Sequence, residues 1–276
     1  MEDKPLVSIA CAVYNHEPFI RQCLDGFIMQ KTNFKFEAVV HDDASTDNSA
    51  NIIREYEVRY PDIIKPIYQK KNYGLGSEHT GRMKRKAWRG KYLAFCEGDD
   101  YWTDALKLQK QVDYFEDNSE YVMSFHSVKV ENQIKNLDYQ YPIPSKSTLT
   151  VKNLAFKHYI PTCSLIFRKN AMPNPMPDWV GKCPASDIVL ELLTASKGLT
   201  YYSDEIMAVY RKHENSITRQ KSQILKGRKG YIFMYQNLRN DLDNKYWVVF
   251  TLLILKTKLG FIKDWVGLNP LLRSEN

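Results

Sequence analysis

Two groups of acidic side chains in this 276-residue chain stand where they could do chemistry: Asp42-Asp43 and Glu97-Gly98-Asp99-Asp100. Each directly follows a short apolar run, residues 36–40 and 92–96, of the kind that forms a buried strand. Either group alone would serve as a polar turn with Asx caps. Their recurrence after two such strands points instead to one crevice, because ligands of an open parallel sheet lie at the carboxyl ends of its strands. Carboxylates gathered there repel one another and any anionic ligand unless a cation joins them. Oxygen donors around a diphosphate suit Mg²⁺ or Mn²⁺. Lys84, Arg85 and Lys86 are candidate phosphate neighbours on the same edge.

The elements that must position these groups can be read in order. Residues 6–13 form an apolar run rich in small and β-branched types, which predicts a strand buried on both faces. Ile20, Leu24, Phe27 and Ile28 recur at helical spacing. Ser45-Thr46-Asp47 offers N-caps to a helix carrying Ile53, Tyr56 and Tyr60, which Pro61 stops. Residues 63–69 read as a third strand, and Asn72-Tyr73-Gly74-Leu75-Gly76 as a loop before a basic helix. Thr103 is placed to cap a helix with Ala105, Leu108, Val112 and Phe115 on one face. Strands alternating with helices in this way predict right-handed βαβ units and a mostly parallel sheet. Further strands are expected at 121–130, 163–167 and 206–210, a surface loop at 132–147, and a helix at 188–195 ended by Gly198. From about residue 220 the pattern is basic and helical.

The formal net charge of +7 suits anionic partners such as phosphates or acidic lipid, and is too modest to imply nucleic acid. Five cysteines, an odd number without CxxC spacing, read as reduced thiols of a cytoplasmic protein, with no disulfide framework or zinc site. No basic n-region with an apolar h-region is read before the first strand, so no signal peptide is expected. The longest apolar run, 247–255, falls well short of the ~20 residues a membrane-spanning helix needs.

Several segments in order resemble family 2 glycosyltransferases of the GT-A fold. They are Val7-Ser8-Ile9 through Tyr14-Asn15, Asp42-Asp43-Ala44-Ser45-Thr46-Asp47, Asn72-Tyr73-Gly74, Glu97-Gly98-Asp99-Asp100-Tyr101-Trp102, Ala185-Ser186-Asp187 and Tyr210-Arg211-Lys212-His213. The resemblance runs over about residues 5–218. It implies an α/β fold of GT-A type, a mostly parallel twisted sheet flanked by helices. Residues 1–218 would form the glycosyltransferase domain, and 219–276 a basic, amphipathic helical extension.

The resemblance also implies roles. Val13 and Tyr14 would flank the nucleoside base, and Asp42 or Asp43 would hydrogen-bond it. Asn72, Gly74 and Arg82 would complete the nucleotide site, although a solvated helix face is the plainer reading of residues 82–86. Asp99 would hold a Mn²⁺ or Mg²⁺ ion, with Asp100 beside it. Glu97 stands where the family more often has Asp; one methylene longer, it would meet the ribose or a metal-bound water. Asp187 would be the general base and also a helix N-cap, with Glu191 one turn later as its rival. His213 would close over the metal and diphosphate.

The activity so implied is inverting transfer of a hexosyl or N-acetylhexosaminyl group. The donor would be a nucleotide diphosphate, a UDP-sugar. The acceptor would be a hydroxyl of a glycan or lipid-linked acceptor, in polysaccharide biosynthesis of the cell envelope. Two alternatives are a nucleotidyltransferase that makes nucleotide sugars and a non-catalytic nucleotide- or sugar-binding module. The first would want a Gly-rich basic loop after the first strand, where this chain has Tyr14-Asn15-His16-Glu17. Intact Asp99 and Asp187 speak against the second. In the extension, Trp247, Phe250, Ile254, Phe261 and Trp265 recur at roughly helical spacing among lysines. That pattern predicts either peripheral contact with the inner face of the membrane or packing onto the catalytic domain.

Overall fold

The computed structural model describes residues 4–74, 85–141, 143–214 and 223–265. Arg82 and Lys84, and the domain boundary at 218, lie outside these residues. The apolar run that opens the chain becomes β1 (Val7–Val13), almost wholly buried. It can be buried on both faces because it takes parallel partners on both sides, β2 (Phe36–Asp42) and β4 (Tyr92–Phe95). β3 (Ile64–Tyr68) extends the sheet beyond β2, also in parallel. The crossover helices are α1 (Ile20–Ile28), which buries Ile20, Cys23, Leu24 and Phe27, and α2 (Ser49–Arg59), which buries Ile52, Ile53 and Tyr56.

The remaining strands are β5 (Tyr101–Trp102), β6 (Tyr121–Asn132), β7 (Leu137–Gln140), β8 (Thr148–Leu149), β9 (Ile166–Arg168) and β10 (Leu199–Lys212). Together they make one ten-stranded sheet in the order β3-β2-β1-β4-β9-β6-β10-β5, with β7 on β6 and β8 on β10. The long ladders, including β6 with β10, are parallel. The antiparallel pairings of β9, β5, β7 and β8 are short.

Several local expectations change. At the start of the strand expected at 163–167, Thr162–Ser164 forms a 3-10 turn, leaving β9 as Ile166–Arg168. Within the expected loop at 132–147, Leu137–Gln140 folds back on β6 as an edge strand, through a turn with Asn136 at φ 48°. Its faces are largely exposed, so it carries no apolar alternation to announce it. The last strand begins at Leu199, not 206, because the polar stretch Ser203-Asp204-Glu205 marks a register shift inside a continuous strand. The helix after the second acidic cluster is α3 (Lys107–Asp117). Asp104, not Thr103, shapes its entry, accepting the Leu106 amide at 2.7 Å.

The remaining helices are α4 (Val151–Phe156), α5 (Ser186–Ala195), α6 (Gln223–Asp241) and α7 (Trp247–Trp265). Apolar side chains form two buried clusters. One of them joins Phe167 of β9 and Val189 and Leu192 of α5 to Met234 and Leu238 of α6 and Phe250 and Leu253 of α7. The two C-terminal helices therefore share a core with the sheet. Phe250 and Ile254, on the stripe expected either to meet the membrane or to pack onto the domain, are 0% and 5% exposed and pack inward. The side chains of Phe261 and Trp265 lie outside the described ones. Among the described residues no helix is long and apolar enough to cross a membrane.

Candidate active site

The carboxyl ends of β1, β2 and β4 lie side by side, since Val13 is the register partner of Asp42 and Ala10 that of Phe95. The loops leaving β1 and β2 are tied together. Asn15 (φ 55°) accepts the Thr46 amide on its side-chain oxygen at 2.8 Å, and its own amide donates to Ser45 Oγ at 2.9 Å. The His16 amide donates to Ser49 Oγ at 2.9 Å, and the Glu17 amide to Asp47 at 2.9 Å. These bonds satisfy backbone groups that loops would otherwise leave bare. The Asp43 carboxylate accepts the amides of Tyr73 and Gly74, the latter at 3.0 Å, with Gly74 at φ 71°. Asn72 caps the same turn by accepting the Gly74 amide at 2.8 Å. Asp42 accepts only long contacts from the Ser45 amide, at 3.3–3.4 Å. Val13 is buried and Tyr14 is 44% exposed at the mouth.

The second acidic cluster leaves β4 against the first loop. A Cβ on Gly98 would lie 2.8 Å from His16 Nδ1 and 2.9 Å from Val13 Cγ2, so the approach needs a glycine. Asp99 and His213 meet across the site, His213 Nε2 lying 3.1 Å from Asp99 Oδ2. β10 delivers His213, and β5, which directly follows the acidic cluster, pairs with β10 at Ala208 and Val209. The Phe19 ring lies 4.6 Å from the His213 ring. Arg211, 5% exposed, binds the cluster from below. Its amide donates to Asp100 Oδ1 at 2.8 Å and its guanidinium to the Asp99 carbonyl at 2.8 Å and to Gln22. The guanidinium carbon lies 4.3 Å from the centre of the Tyr101 ring.

The two neighbouring carboxyls are driven apart. Burial works against ionisation of Asp99. The hydrogen bond from His213 and the positive charge His16 carries at acid pH outweigh it, holding this carboxyl below its usual range. Burial, then the Asp99 charge, push Asp100 well above that range. Burial also lowers the His16 imidazole against the pull of Asp99. Behind the loop, fully buried Lys107 donates to Gln111 Oε1 at 2.8 Å and lies 4.2 Å above the Trp102 ring. Burial takes its ammonium down to about 7.

Whether these residues fit a divalent cation can be asked of their unsatisfied atoms. Asp99 Oδ1 and Asp100 Oδ2 are buried without a hydrogen-bond partner, which is the provision a cation would use. Asp99 and His213, 3.1 Å apart, are the side chains that would hold such an ion. Among the described residues no three metal-binding side chains form a complete site. Diphosphate oxygens and water would supply the rest, as is usual for Mg²⁺.

Asp187 is exposed at the start of α5, whose N-cap position is Ala185, so the acid itself is in the first turn. No direct contact joins it to Asp99. Between them stand two tyrosines, Tyr141 and Tyr210, with rings 6.1 Å apart; burial pushes both phenols up, with Glu191 adding to it at Tyr141 and Asp100 at Tyr210. Glu191 is 4% exposed, and burial followed by the Asp187 charge pushes its carboxyl well up. Asp187 is exposed where an acceptor hydroxyl can reach it and Glu191 is buried, which favours Asp187 of the two as base. Glu97 is exposed at the rim.

His16, Gln22, Phe19, Arg211 and Lys107 were given no role by sequence reasoning. His16 alone carried a signal, its place directly after the first strand. Gln22 and Lys107 read as ordinary helix residues, and Arg211 as a flank of His213.

The sequence profile of glycosyl transferase family 2 matches residues 8–172. An uncharacterised protein of Mycobacterium tuberculosis is 38% identical over 213 residues, which is 76% of this chain and 60% of that protein's length. TuaG of Bacillus subtilis, named for glycosyl transfer in teichuronic acid biosynthesis, is 28% identical over 221 residues, 79% of this chain and 83% of that protein. Among solved structures, residues 1–349 of S. aureus TarS in complex with UDP-GlcNAc match with a TM-score of 0.69 at 18% identity, over 92% of this chain and 73% of that one. The mannosyltransferase PcManGT of Pyrobaculum calidifontis, with GDP-Man and Mn²⁺, matches with a TM-score of 0.65 at 13% identity, over 99% of this chain and 76% of that one. Both structures share this fold.

Proposed function

Because this chain belongs to glycosyl transferase family 2, we propose that it moves a sugar from a nucleotide diphosphate, a UDP-sugar, to a hydroxyl of a glycan or lipid-linked acceptor. The observation that carries this reading is the junction of Asp99, Asp100 and His213, where two buried carboxylate oxygens lack partners. The UDP-GlcNAc bound by TarS and the GDP-Man and Mn²⁺ bound by PcManGT support it by likeness of fold.

In this proposal the nucleoside lies over Val13 and Tyr14, with Asp42, whose carboxylate makes only long contacts, turned to the base. Asp43 holds the 72–74 turn beneath it. Asp99 and His213 hold a Mn²⁺ or Mg²⁺ ion, which when bound offsets charge on the departing diphosphate. Arg211 keeps the acidic loop in register from behind. Asp187 accepts the proton of the acceptor hydroxyl as that oxygen bonds to the anomeric carbon. The bond from that carbon to the diphosphate breaks with its electron pair, so the configuration inverts. Residues 1–218 carry the transfer, and 219–276 form a helical extension whose α6 and α7 share the domain's core. Relatives such as TuaG, named for teichuronic acid biosynthesis, support polysaccharide biosynthesis as the setting; we place that work at the inner face of the cell membrane.

The test is release of free UDP from a panel of UDP-sugars with Mn²⁺, with and without glycan or lipid-linked acceptors. Release that needs the divalent ion and rises with one acceptor supports the proposal. No release from any nucleotide sugar, with a rise in melting temperature on adding one of them, returns the chain to the binding-module alternative; no release and no rise overturns the proposal.

A further inference from the structure

Helix α7 is apolar on two opposite faces. Val249, Phe250, Leu253 and Ile254 are buried against the body of the protein. Val248, Leu252, Leu255 and Leu259 are 61%, 50%, 50% and 60% exposed. Advancing about 100° per residue, these four fall within about 60° of one another, facing away from the core. The same arithmetic puts Lys256 to one side of this stripe and Lys258 to the other, each about 80° from its centre. Both lysines are exposed. From residue 244 to residue 263 the sequence contains four lysines and no acidic residue. Trp247, 49% exposed at the start of the helix, has the Arg239 guanidinium 5.3 Å from its ring centre.

An exposed contiguous apolar stripe on a folded protein marks a contact surface. We propose that the outer face of α7 docks onto an anionic lipid bilayer, with Leu252, Leu255 and Leu259 entering the acyl boundary and Lys256 and Lys258 meeting the headgroups. Three features select this occupant. The helix is not apolar enough to cross a bilayer, but one apolar stripe edged by lysines suits a helix lying in the interface. A second copy would set Lys256 and Lys258 against the same lysines, so like charges would meet on closing a two-fold pair. Four side chains are also few against the ~20–30 residues a side of a stable protein interface. The face is the reverse of the one that packs on the core, so docking leaves the fold unchanged. This inference does not depend on the donor or acceptor assigned above.

The test is co-sedimentation of the full chain with vesicles of phosphatidylglycerol and phosphatidylcholine, against phosphatidylcholine alone. Binding to the anionic vesicles at low salt and its loss at high salt are expected. The variant Leu252→Glu with Leu255→Glu should abolish it, and both positions are exposed enough to keep the fold. Lys256→Gln with Lys258→Gln should weaken partitioning about 30-fold, roughly fivefold per lysine near an anionic surface. Nucleotide release in solution should be the same for all three proteins, so failure of docking and failure of the transferase reading are separable. The proposal falls if wild type ignores anionic vesicles. It also falls if the Glu variant binds as well as wild type, or if wild type is a dimer that the Glu variant splits.

Discussion

His213 Nε2 lies 3.1 Å from Asp99 Oδ2, although 114 residues separate the two in the chain. The contact joins the end of β10 to the loop after β4, and Arg211 reinforces it from two positions earlier by bonding to the Asp99 carbonyl and the Asp100 carboxylate. Substitutions at this contact test the proposal most directly.

Asp99→Asn keeps the shape and removes the charge. Metal-dependent release of UDP should fall by about 100-fold or more, since even the supporting contacts of a metal ligand are worth 10–100-fold. The melting temperature should change little. Wild-type turnover in Mn²⁺ would show that Asp99 holds no metal.

His213→Ala should weaken UDP binding about tenfold in Mn²⁺, equivalent to ~1.4 kcal/mol. In EDTA the two proteins should bind alike, because the imidazole contributes only when metal and diphosphate are assembled. Calorimetric titration under both conditions reads the difference. Matching curves in Mn²⁺ would make His213 a mere packing partner of Phe19.

Asp187→Asn should lower turnover by about 10²–10⁴-fold, the usual worth of a general base, with donor affinity unchanged. Glu191→Gln should cost little in activity. Burial pushes that carboxyl well up and disfavours its charged form, so the neutral amide suits the same buried place. A large loss from Glu191→Gln beside a small one from Asp187→Asn would reverse the assignment.

Lys107 sets a pH dependence of stability. Its folded value of about 7 lies below the 10.5 of a free lysine. Between those values the unfolded chain binds more protons than the folded one, so stability rises with pH, by up to ~1.4 kcal/mol per unit from this group. Below pH 7 both states are charged and the burial penalty is present in full. Urea unfolding at pH 7.0 and 8.5 should show a steeper rise for wild type than for Lys107→Met. Equal slopes would mean that the ammonium is not buried as described.

The two acidic clusters, the strands that precede them and the order of the first half were legible in the sequence. Buried parallel strands are continuous apolar runs, and the crossover helices repeat their own period; both signals are local. Leu137–Gln140 escaped because an exposed edge strand has no face to bury. The early start of β10 escaped because a register shift interrupts its pattern. The sequence by itself also determined that Asp42, Asp43, Asp99 and Asp100 would share one end of the sheet, since each follows a strand of a parallel set. Only the tertiary structure decided which of them lack partners, which carboxyl is driven up and which down, and that His16, Gln22 and Arg211 crowd around them. It also decided which apolar face of α7 meets the core. Spacing reports that a helix has apolar stripes, but the choice between them depends on what the rest of the chain presents. Pairing of β5 with β10 likewise brings His213 to Asp99 through contacts that no local pattern encodes.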